Sequence, residues 1–110
     1  MCGPIDCSKI KSPIVRCFRF LHDDFGLDLI GFQGWGFAWS HWSDGKTDVE
    51  IYFRYGDEPP FVANVYLNSG TIAVDERTLT PPVSIRDYPQ ASEWFRNEIA
   101  GILKKSENGE

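Results

Sequence analysis

Long apolar runs are missing from this chain. No hydrophobic segment approaches the ~20 residues that a bilayer span needs. The opening stretch, MCGPIDCSKIKSP, also lacks the uninterrupted apolar core of a secretory signal, so a cytoplasmic protein is expected. Cysteine is scarce as well. Cys2, Cys7 and Cys17 are odd in number and crowd one end, whereas the disulfide framework of a small secreted domain is usually even in number and better spread. Reduced thiols are the expected state. Basic charge is the third shortage: eleven Lys and Arg face sixteen Asp and Glu, a net charge of −5. A surface of that sign repels phosphate backbones, which argues against a nucleic-acid partner. Lys9, Lys11, Arg16 and Arg19 form a local basic cluster, but Asp23, Asp24 and Asp28 follow closely, so these read as solvated helix charges.

Sets of residues with catalytic or metal-binding spacing are also wanting. Cys2, Cys7, Cys17 and His22 run C-x4-C-x9-C-x4-H, without the C-x2-C knuckle that presents two thiolates from one turn. No metal and no cofactor is expected. Cys7 or Cys17 with His41 would make a nucleophile and base only if the fold joined them and an acid oriented the imidazole. Asp48 and Glu50, two apart on one strand, could divide acid and base roles if desolvated; on an open sheet face they stay hydrated and ionised. Gly31-x-x-Gly34-x-Gly36 is followed by neither a Lys-Ser/Thr pair nor a helix start, so it is no phosphate loop. Its glycines suit a bulge or the close approach of another backbone.

Aromatics, by contrast, are plentiful at 15% of the chain. Three of the four tryptophans fall in the segment GFQGWGFAWSHW, Gly31 to Trp42. Strand alternation puts Trp35, Phe37, Trp39 and His41 on one face, and Gly36, Ala38, Ser40 and Trp42 on the other. The bulky side is therefore either the centre of a core or the floor of a binding surface.

Periodicity organises the rest. After an irregular lead-in over 1–12, Ser12-Pro13 starts a helix whose stripe is Ile14, Phe18, Leu21 and Phe25, with Gly26 as its stop. From Leu27 the period becomes two. The Asp44-Gly45 pair marks a hairpin. Thr47, Val49, Ile51, Phe53 and Tyr55 then alternate with Asp48, Glu50, Tyr52 and Arg54, and Phe61 to Leu67 forms the next strand. Asn68-Ser69-Gly70 turns into a short strand over 71–74, and 78–84, which contains Pro81-Pro82, reads as a connection or protected edge. Asp87 and Gln90 have capping-box spacing ahead of a helix whose stripe is Ala91, Trp94, Phe95, Ile99, Ile102 and Leu103. Residues 104–110 are a solvated tail.

Helix, four or five antiparallel strands, helix: the order predicts a single α+β domain over 1–110, a meander sheet with both helices on one face. The opposite face then carries Asp48, Glu50, Tyr52 and Arg54, with Asn64 and Tyr66 from the next strand. Tyrosine, tryptophan and arginine are favoured interface anchors, and carboxylates among them suit a partner with a basic surface. The chain is thus expected to be a protein-binding module rather than an enzyme. In type, such compact acidic α+β chains resemble bacterial immunity proteins. That likeness implies inhibition of a basic partner such as a toxin. The alternative is a small-molecule-binding or enzymatic domain, its pocket lined by Trp35, Trp39, His41 and Trp42. Composition points to no membrane partner and leaves the oligomeric state open.

Overall fold

The computed structural model describes residues 12–35, 37–54, 56–67 and 75–107. Its elements are α1 (Pro13–Phe18), α2 (Phe20–Asp23), β1 (Asp28–Trp35), β2 (Phe37–Ser43), β3 (Thr47–Arg54), β4 (Phe61–Leu67), β5 (Asp75–Leu79) and α3 (Tyr88–Glu107). The strands form one antiparallel meander in the order β1-β2-β3-β4-β5, the α+β architecture expected from the sequence. Among the described residues no helix is long and apolar enough to cross a membrane.

One face of the sheet is sealed by the helices. Val49, Ile51, Phe53, Phe61, Ala63 and Val65 are buried there, and join Val15, Phe18, Ala91, Phe95 and Ile99 in a single core. The N-terminal helices and α3 meet through Phe18 and Phe95, whose ring centroids lie 5.8 Å apart. The α3 cap is the expected one: Asp87 Oδ1 accepts the Gln90 N–H at 2.8 Å, occupying a donor that the first helical turn leaves free.

Several elements differ from the sequence expectation. The aromatic segment, expected to lie along one extended strand, is divided: β1 ends at Trp35 and β2 begins at Phe37, antiparallel and paired at those two residues. The first helix is not continuous; it breaks at Arg19 into α1 and α2. Both Phe18 and Phe20 are buried, and residues two apart on a helix point some 200° away from each other at ~100° per residue. Arg19 itself keeps φ −60° and ψ −17°, and the two ring centroids lie 6.1 Å apart. Ser12 supplies no side-chain cap bond. Gly26 does end the segment, at φ 73°, and the Leu27 N–H closes on the Leu21 carbonyl at 3.0 Å. A further difference is β5, Asp75–Leu79, where the sequence showed no strand; the expected short strand over 71–74 falls outside the described residues. Edge strands tolerate charge on both faces, so the sequence DERTL carries no alternation to reveal it.

The β2–β3 hairpin is set by its turn. Asp44 Oδ1 accepts the N–H groups of Lys46 at 2.9 Å and Thr47 at 2.7 Å, and Gly45 takes φ 90°. That turn fixes Ser43 opposite Asp48, His41 opposite Glu50 and Trp39 opposite Tyr52.

Candidate functional site

Register decides which side of the aromatic segment faces the core, and it is the sparse side. Ala38, Ser40 and Trp42 are buried beneath the helices. Small residues at 38 and 40 leave room for the helix layer, and the Trp42 indole N–H donates to Ser40 Oγ at 2.8 Å, so neither buried polar group is stranded. Trp42 therefore leaves the expected pocket set of Trp35, Trp39, His41 and Trp42: it is a core residue on the opposite face. Trp35 ends β1, its backbone paired with Phe37, and its side chain lies outside the described residues.

Trp39 and His41 stand instead on the open face, in the same surface as the acidic strand. The two groups of residues that sequence alternation kept apart are one site. Trp39 is half-buried across Gly31; a Cβ at position 31 would sit 3.0 Å from its Cη2 atom. Trp39 sits opposite Tyr52 across the β2–β3 ladder, and the Tyr52 hydroxyl donates to Glu50 Oε2 at 3.0 Å. Tyr66, from β4, pairs with Asp48 and lies near enough to Glu50 to feel its charge. One strand over, His41 Nε2 lies 3.0 Å from Asp48 Oδ1. Asn64, opposite Glu50, accepts the Thr78 hydroxyl at 3.1 Å. All six expected partner-binding residues share this face, although Arg54 stands at its end, away from the Glu50 network.

The electrostatics follow from the contacts. Burial, then the bond to Glu50 and its charge, push Tyr66 up to about 12. Burial raises Tyr52 too, joined by Glu50 and opposed by the Trp39 bond and Arg54. With Glu76, placed beside Tyr66 by the β4–β5 register, the described residues of this face include the carboxylates of Asp48, Glu50 and Glu76 and the guanidinium of Arg54. Where β3 and β4 leave the sheet, a depression of about 300 Å³ opens, lined by Tyr52, Arg54, Asp57, Pro60, Val62 and Asn64.

Other candidate chemistry does not assemble. Cys2 and Cys7 lie outside the described residues; among those described, no three metal-ligating side chains converge. His22 Nδ1 is engaged by the Leu27 carbonyl at 3.0 Å, and burial pushes the Cys17 thiol up, away from thiolate chemistry. Cys17 is on the helical side and His41 on the open face, so the sheet separates them. Within the basic cluster, Arg19 pairs with Asp23 at 3.5 Å, while Lys9 and Lys11 lie outside the described residues. Glu76 and Thr78 were not anticipated in the sequence because β5 showed no period. The hairpin turn at Asp44-Gly45 was the available signal that Trp39 and His41 belong beside Glu50. Compared with known protein families, characterised proteins and solved structures, the chain matches none.

Proposed function

We propose that this protein is a binding module whose open sheet face engages the basic surface of another protein, in the manner of an inhibitor or immunity-type protein that covers a basic toxin. The observation that carries the reading is the group around Glu50: its carboxylate accepts the Tyr52 hydroxyl at 3.0 Å, with Trp39 set opposite Tyr52 and Tyr66 on the adjoining strand of the same face. Side chains fixed before contact lose less rotamer freedom on association. Glu50 has also exchanged part of its water shell for a hydroxyl donor, which lowers the desolvation that a partner must offset. Trp39 and Tyr52 supply amphipathic area of the kind found at interface hot spots, and the excess of carboxylates steers a cationic surface toward the sheet.

The test is affinity retention from an extract of the native host, comparing the wild-type chain with an Asp48→Lys/Glu50→Lys chain of equal thermal stability. The wild type should retain a protein of basic pI that elutes with rising salt and is absent from the charge-reversed chain. Identical retained sets would refute the reading.

A further inference from the structure

The two edges of the sheet are built differently. β5 exposes Asp75, Glu76 and Arg77, with Arg77 and Asp75 paired at 3.1 Å, and a charged edge discourages another strand from adding. β1 has no such guard. From Leu29 to Trp35 it carries no charged residue, and Ile30 and Phe32 are 45% and 38% exposed on it. Ile30 is squeezed out of the ladder where the register shifts between Leu29 and Gly31; beyond it, Gly31 to Trp35 pair with β2 without interruption. Among the described residues, no strand adds to the outer side of β1.

We infer that β1 is a self-association edge, at which a second copy of this chain pairs antiparallel to form one sheet of twice the width. Charge selects that occupant. A basic partner is drawn to the carboxylates of the open face and gains nothing from an uncharged seam. A second copy brings the same −5 and needs a seam where like charges do not meet. Two-fold symmetry makes the pairing antiparallel and sets residue i against j and j against i, so the two Asp28 side chains fall at opposite ends of the seam. Each Asp28 is also near its own His22, at 3.6 Å. The exposed Ile30 and Phe32 side chains then lose water together, and both open faces lie on the same side of the extended sheet. The inference rests on the proposed reading of the open face only in assigning a basic partner there, and the dilution series tests the seam without that partner.

Sedimentation equilibrium of the full chain over a dilution series tests it. The wild type should pass from 12.5 kDa toward twice that mass as concentration rises. Phe32→Lys and Ile30→Lys should each remain at half the wild-type mass where the wild type is dimeric, while Arg77→Ala on β5 leaves the dimer intact. Circular dichroism checks that each chain is folded; if Phe32→Lys is not, the bulged Ile30 position gives the reading alone. Hydrogen exchange should show β1 amides, and not those of β5, gaining protection with concentration. A wild type that stays monomeric throughout, or a dimer indifferent to both lysines, would overturn the inference.

Discussion

Tyr66 reports the state of the open face more sharply than any other residue. Its hydroxyl is raised from 10.0 to about 12, so the folded chain holds that proton more tightly than the unfolded chain. The associated stability is fully present below pH 10 and is lost as pH climbs toward 12. A spectrophotometric titration should show a phenolate forming near pH 12, and Tyr66→Phe should remove that step; ordinary titration of all tyrosines near 10 would show that the Tyr66 hydroxyl is neither buried nor beside Glu50. Tyr52 offers a second check, because the Trp39 bond works against the rise in its pKa. Trp39→Phe should therefore move Tyr52 further upward. Gly31→Ala presses a methyl against the Trp39 ring at 3.0 Å. The half-exposed ring can swing aside, so the cost should sit at the low end of the overpacking range, about 1 kcal/mol. A shift of the Trp39 indole resonance should accompany it.

Among the elements, the N-terminal helices show how far a periodic stripe can be trusted. Phe18 and Leu21 belong to the expected stripe and are fully buried. The stripe could not announce the break at Arg19, because the need to bury Phe20 as well comes from tertiary packing rather than helix propensity. Phe18→Ala should cost ~3–5 kcal/mol, as loss of a buried phenyl ring does, while Arg19→Ala, removing a surface ion pair, should stay within ~1 kcal/mol. Comparable urea midpoints for the two would show the burial to be misplaced. Asp87→Ala should cost ~1 kcal/mol through the lost α3 cap, read in the same titration. β3 and β4 were legible almost residue by residue because each has one wet and one dry face, which writes a clean period of two. β5 has neither face deeply buried, and its sequence accordingly shows no pattern.

For the whole molecule, the sheet with its helices on one side was legible, and so was the open face of β3 and β4. What alternation could not supply was the direction of β2. Trp35, Phe37, Trp39 and His41 suit a core or a binding surface equally when read along one strand, since such a reading ignores what the neighbouring strands present, and Trp35 in fact ends β1. The hairpin register decides for Trp39 and His41, setting Trp39 opposite Tyr52 and His41 opposite Glu50. The carboxylates and the aromatic side chains thus share one surface. The measurement that bears most directly on this claim is association and dissociation kinetics, over a salt series, against the basic protein retained by the wild-type chain. Asp48→Lys/Glu50→Lys should slow association and flatten its salt dependence, because long-range charge acts on encounter. Tyr52→Ala should leave association nearly unchanged and accelerate release, because a desolvated anchor acts on dissociation. Rates and salt slopes identical to wild type in both chains would contradict the account and leave the open face as solvated surface.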